Sequence, residues 1–172
     1  NVSDIQTRVN NYMGLDEPYL GETNVLHYLE VLRDRVGFDE LAKKVTNPLT
    51  GRKIGAYYGC LLLRPSTTMQ FDDPENPTIL EDFIRAIGAE PVVYAMRNEC
   101  CGGYVSLKAK EQAESMVDRV LSSAKAKGAE ELITACPLCM YNLTKNCKGE
   151  PMKVSYFTEL LAEALGIKEV QS

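Results

Sequence analysis

Five of the six cysteines in this chain fall into one spaced pattern: Cys60 alone, Cys100 and Cys101 adjacent and followed by Gly102 and Gly103, and Cys136 and Cys139 as a C-P-L-C pair. Thiolates are soft metal ligands and strong nucleophiles, so five that converge form either a soft-metal centre or a disulfide set. One histidine and no tryptophan leave little competing metal or redox chemistry. The C-P-L-C pair lies where a helix should begin, and the free N–H groups and positive dipole end of a helix favour thiolate there. Adjacent side chains on an extended strand point to opposite faces. Cys100 and Cys101 can both reach one centre only if the backbone turns sharply, which Gly102 and Gly103 permit. A single buried cysteine is ordinarily a small core hydrophobe, a reading that does not suit five at successive strand ends. Structural zinc takes four ligands and a cubane [4Fe–4S] cluster four cysteines, so five thiols overshoot both. Cys147 stands outside the spacing and reads as a bystander.

Alternating strands and helices would have to position these thiols. Short apolar runs over 54–59, 91–96 and 131–135 read as buried strands, with Val154 marking a very short fourth. Helices are expected over 79–87, 106–126 and 137–147, the last with Pro137 at its first position, where a missing N–H costs nothing. A final helix is expected from a Ser155 cap to Leu165. Strand-helix alternation predicts an α/β fold, a parallel sheet of about four strands flanked by helices. Cys60, Cys100-Cys101 and Cys136 then all follow strand ends and share the carboxyl edge of the sheet, where open α/β sheets bind ligands. Residues 1–50 read as a helical connector segment, and 51–172 as the cysteine-rich domain. Within the connector the expected helices are 1–14, a stretch through Val25, Leu29 and Leu32 capped by Asn24 and ended by Gly37, and 38–45.

At 172 residues the chain can hold one ordinary domain, and its composition, 45% hydrophobic and 25% charged, is that of a globular protein. The net charge of −5 carries no basic stripe, which argues against nucleic acid as a partner. No apolar run approaches the roughly 18 residues of a transmembrane segment, and no secretory leader is visible. Tight C-C and C-x-x-C spacings in such a sequence favour metal or redox use in the cytoplasm over structural disulfides. His27, in an apolar stretch, reads as a packed core histidine, and Tyr57 and Tyr58 as core and wall. Arg64 and Arg97 lie close in sequence to Cys60 and Cys100 and are candidate contacts for an anionic substrate group. The acidic run Asp72, Asp73 and Glu75 lacks calcium-loop spacing and reads as a solvated turn.

The stretches Tyr57-Tyr-Gly-Cys-Leu-Leu-Leu-Arg-Pro65, Phe71-Asp-Asp-Pro-Glu-Asn-Pro77, Cys100-Cys-Gly-Gly103 and Cys136-Pro-Leu-Cys-Met-Tyr-Asn-Leu143 closely resemble the B-type subunit of heterodisulfide reductase, in the second of its two cysteine-rich CCG domains. Related domains occur in thiol:fumarate reductases, some succinate dehydrogenases, and glycolate and lactate oxidases. The resemblance implies a non-cubane [4Fe–4S] cluster held by Cys60, Cys100, Cys101, Cys136 and Cys139, which accounts for the surplus thiol. It implies a C-terminal fragment whose N-terminal CCG half is absent, with the other subunits of a heterodisulfide reductase-like complex as partners. The implied reaction is electron transfer to a small-molecule thiol–thiol heterodisulfide, CoM-S-S-CoB or an analogue. The cluster itself would carry the electrons, and no side chain is assigned a catalytic role. A cluster of this kind is expected to be lost from protein handled in air. The alternatives are an electron-transfer domain of a thiol:fumarate, succinate or hydroxy-acid oxidoreductase, and a non-catalytic zinc-binding assembly module.

Overall fold

A computed structural model describes residues 3–14 and 16–167. Its centre is a four-stranded parallel sheet in the order β2-β1-β3-β4. The strands are β1 (Lys53–Tyr57), β2 (Glu90–Val92), β3 (Glu131–Thr134) and β4 (Lys153–Tyr156). Along β1 the side chains alternate between faces. Ile54 and Ala56, with Ile133 of β3, face α3 (Phe38–Lys44), α5 (Ile79–Ala86) and α8 (Phe157–Ala164). Tyr57 and Leu132 face α6 (Lys110–Ala126) and α7 (Pro137–Lys145) on the other side. Two apolar cores thus sandwich the sheet, giving the expected α/β fold. Helix α1 (Ser3–Met13) has no buried residue, whereas Leu29, Leu32 and Leu41 belong to the first core. The expected helix over 1–14 is observed from Ser3; its first two residues lie outside the described range, as do 168–172 of the expected domain.

Several boundaries differ from expectation. Val25 is 88% exposed and Asn24 caps nothing; α2 (Tyr28–Glu30) starts later and continues through a π turn, Val31–Val36, to Gly37. His27 is its cap: Nδ1 accepts the Leu29 N–H at 3.1 Å, and the Glu30 carboxylate accepts the His27 N–H at 2.8 Å. This reciprocal pair fixes the start of the helix. The His27 ring meets Phe71 edge-on, centroids 5.1 Å apart, so it packs and caps. β2 stops at Val92 rather than Met96. It is an edge strand whose pairing ends at Gly55↔Val92, and the Tyr58 N–H turns to the Arg97 carbonyl instead. Ser155 caps no helix: it lies in β4, where its hydroxyl donates to buried Glu131 at 2.5 Å, and Tyr156 caps α8. The stretch over 106–126 begins as a 3₁₀ turn, Val105–Leu107, before α6. Helix α7 ends at Lys145, so Cys147 follows it in a loop. A short helix not expected from the sequence, α4 (Ser66–Met69), follows the Cys60 loop.

Candidate metal centre

The strand order reverses between β1 and β3, so the crevice at their carboxyl ends is the topological switch point of the sheet, the usual ligand site of open α/β folds. Cys60 leaves β1 there and Cys136 leaves β3 beside it. Cys100 and Cys101 arrive from the loop after β2. All five patterned cysteines line one pocket, with Tyr58, Leu61, Leu62, Gly103, Tyr104 and Leu138 as the remaining wall. Cys147 is not among its lining residues.

Local backbone chemistry brings the sulfurs inward. Cys136 caps α7, its sulfur accepting the Cys139 N–H at 3.4 Å, with Pro137 at the first helical position. Gly102 takes a φ of +80°, in the left-handed region, and its N–H reaches Cys100 Sγ at 3.3 Å. The chain thus turns back over the Cys100 sulfur, and both Cys100 and Cys101 line the pocket. Asn142 of α7 donates to the Cys101 carbonyl at 2.5 Å, tying the Cys100 loop to the C-P-L-C helix. Gly59 has φ +66°, and a Cβ there would lie 3.0 Å from Cys139 Sγ. Cys101 and Cys139 are 3% and 5% exposed, their sulfurs 3.6 Å apart.

The thiols differ in proton affinity. A hydrogen bond from Cys139 holds Cys136 down to about 6, against burial and with help from the Cys139 and Leu138 N–H groups. A hydrogen bond from Cys139 likewise holds Cys101 at about 7, with the Gly103 N–H and Asn142 assisting. Cys139, whose single S–H can serve only one of these sulfurs at a time, is pushed up by both neighbours and by burial. Burial raises Cys60, and the neighbouring Cys100 raises it further. Burial and Asp118 raise Cys147. Cys136 and Cys101 are thus the sulfurs drawn toward thiolate, and Cys139 the one drawn toward thiol. All six are free thiols. The donor set suits a soft-metal cluster: five sulfurs, no carboxylate and no imidazole in a largely apolar wall. Among the described residues, no three Cys, His, Asp or Glu side chains gather as a single metal ion requires. The sulfurs ring the pocket instead.

The segment 71–77 fastens the cysteine loops to one another. Asp72 accepts the N–H groups of Thr78 and Ile79 at 2.8 Å each, capping α5 from outside, and Asp73 accepts those of Glu75 and Asn76. Asn98, beside Cys100, donates to the Pro74 carbonyl at 3.1 Å. Arg64, beside the Cys60 turn, bonds the Asn98 and Pro74 carbonyls and Glu75. Arg97 pairs with Glu81 and Asn76. Both arginines thus take protein partners. Arg64's side chain is 41% exposed and Arg97's is 11%. Spacing alone singles out neither Glu81 nor Asn142; an acidic residue inside the apolar run of α5 is the available signal for Glu81.

A parallel α/β domain with a thiol-lined pocket at its switch point defines a cysteine-rich redox or metal module. Residues 54–144 match the cysteine-rich domain family, CCG, and the chain belongs to that family. It is 34% identical over 157 residues to the 8-methylmenaquinol:fumarate reductase membrane anchor subunit of Wolinella succinogenes, covering 87% of this chain and 55% of that protein. It is 28% identical over 158 residues to the B-type subunit of the ferredoxin/F420H2-dependent CoB-CoM heterodisulfide reductase of Methanosarcina acetivorans, covering 86% and 52%. The corresponding subunit of the ferredoxin:CoB-CoM heterodisulfide reductase of Methanosarcina mazei is 27% identical over 163 residues, covering 89% and 54%. The chain spans about half the length of these relatives. Among the described residues no helix is long and apolar enough to cross a membrane.

Proposed function

We propose that this chain is the cluster-binding domain of a redox subunit, with Cys60, Cys100, Cys101, Cys136 and Cys139 as ligands of a non-cubane [4Fe–4S] cluster. The observation that carries the proposal is the meeting of five thiols, from three strand-end loops, around one pocket. A cluster bound there supplies one-electron transfer. The protein's share is to present the sulfurs and keep the site dry. Cys136 and Cys101 offer thiolate most readily, Cys139 must release its proton on ligation, and Leu62, Leu138 and buried Tyr58 supply apolar wall. Zinc at a structural site would take four of these sulfurs closed tetrahedrally about one point and leave the fifth spare.

The substrate we assign is a thiol–thiol heterodisulfide, CoM-S-S-CoB or an analogue, taking two electrons and two protons to give two thiols. Arg64, the more exposed arginine, is the residue proposed to meet its anionic groups. Further subunits of the complex, and a second CCG half, are the proposed partners. The 34% identity to the fumarate reductase subunit favours a second reading, in which the same site relays electrons without meeting a disulfide.

Anaerobic reconstitution with iron and sulfide tests the proposal. Expected are a broad visible absorbance and iron and sulfide in equal amounts per chain; uptake of one zinc and no iron would replace the cluster with the zinc module. Adding the candidate thiols to the oxidised, loaded protein separates the two redox readings. A changed electron paramagnetic resonance spectrum supports the disulfide substrate, and an unchanged one supports the relay.

A further inference from the structure

Three buried polar atoms without a hydrogen-bond partner among the described residues fall in one place: Glu81 Oε1, the Tyr94 hydroxyl and Arg97 Nε. Glu81, on α5, is 2% exposed. Its other carboxylate oxygen accepts a short hydrogen bond from the Tyr58 hydroxyl, which itself accepts the Leu80 N–H at 2.9 Å. Arg97 Nε stands 3.3 Å from Oε1, within ion-pair reach but not aligned as a hydrogen bond. The guanidinium is drawn the other way, to Asn76 Oδ1 at 2.6 Å and the Tyr94 carbonyl at 3.4 Å. The remaining charges near this group are Arg85, on the same helix and paired with Asp82, and Asp72 of the 71–77 segment.

A carboxylate buried with a half-made ion pair destabilises a fold, and an apolar side chain of similar volume would ordinarily serve better. Glu81 therefore calls for a reason other than packing. Its position supplies one: Tyr58, which bonds it, also walls the thiol pocket. Burial already holds the Glu81 carboxyl above its ordinary range, and negative charge gained nearby pushes it in the same direction.

We propose that Glu81 is a redox-linked proton site, taking up one proton from solvent when the thiol pocket gains an electron and releasing it when that electron leaves. The inference rests on the proposed cluster. One electron enters from an external one-electron donor, one proton adds to a Glu81 oxygen, and no other bond is made or broken. Charge in the buried region is thereby balanced, and reduction is easier at low pH.

The test is a potentiometric titration of the reconstituted full chain at a series of pH values, with iron analysed in every sample. The parent's midpoint potential should fall as pH rises, by at most about 59 mV for each tenfold change in proton activity. Glu81→Gln, which still accepts from Tyr58, should flatten that dependence at unchanged iron content. Arg97→Gln removes the facing cation and should move the sloping window to higher pH. A reduced-minus-oxidised infrared spectrum of the parent should show a protonated carboxyl band that Glu81→Gln lacks. A flat parent, a slope that survives Glu81→Gln, or a window that Arg97→Gln leaves in place overturns the proton site while the cluster stands. A parent that takes up no iron overturns the cluster and the proton site together.

Discussion

Replacing Gly59 by alanine perturbs the site through a single methyl group. Gly59 stands at φ +66°, in the left-handed region, where a side chain costs about 1–2 kcal/mol. The new Cβ would also lie 3.0 Å from Cys139 Sγ, short of an ordinary heavy-atom contact of about 3.5–4.0 Å by roughly 0.5–1 Å. Cys139 is buried on α7 and its sulfur neighbours Cys101, so the methyl displaces the Cys139 sulfur or the Cys60 turn. Gly128→Ala is the control. Gly128 has φ +86° with nothing within 4 Å of its would-be Cβ, so it carries the backbone strain without the contact. For a chain of this size, 1–2 kcal/mol lowers Tm by about 2–8 °C. Thermal denaturation should show Gly128→Ala within that range and Gly59→Ala at or beyond its upper end. Iron bound per chain after reconstitution should fall only in Gly59→Ala. Equal iron in both variants, or equal loss in both, would refute the reasoning that Gly59 makes room for Cys139.

Asp72→Ala should cost about 1–2 kcal/mol, because two N–H groups at the start of α5 lose their acceptor, and Asp72→Asn should recover most of it; urea midpoints check this. Glu131, at the sheet end away from the thiols, is raised by burial but held net below its usual value by Ser155, Arg52 and Lys153. Its lowered folded pKa contributes stability that is present above the unfolded value of about 4.3 and is lost as pH falls through the folded one. The gap in urea midpoint between parent and Glu131→Gln should therefore be open at neutral pH and narrow in acid; a gap constant with pH would contradict it. In metal-free, reduced protein at neutral pH, Cys136 should alkylate several-fold faster than Cys147, as peptide mass mapping would show, since its larger thiolate fraction outweighs the lower nucleophilicity of a low-pKa thiolate.

The sheet and the convergence of the five cysteines were legible because both follow from spacing. Apolar runs of strand length separated by helical stretches dictate parallel pairing, and parallel pairing puts every strand end on one edge. Boundaries were less legible where a side chain from elsewhere decides them. Nothing local in Val25 shows that His27 and Glu30 will form the cap. Ser155 looks like a cap until Glu131, across the sheet, claims its hydroxyl. The 71–77 segment reads as a solvated turn from its own residues, yet it caps α5 and joins the Cys60 and Cys100 loops through Arg64 and Asn98. Glu81 left only the faint signal of an acid in an apolar helix, which acquires meaning when Tyr58 and Arg97 are placed beside it.

The most direct measurement is iron content and the reduced-minus-oxidised spectrum across six single cysteine-to-serine variants, reconstituted in parallel. Serine oxygen is a poor substitute for thiolate on iron. Loss or impairment of the cluster is expected at Cys60, Cys100, Cys101, Cys136 and Cys139, with Cys147→Ser matching the parent. A Cys147→Ser variant that empties the site while Cys60→Ser fills it normally would contradict the ligand assignment.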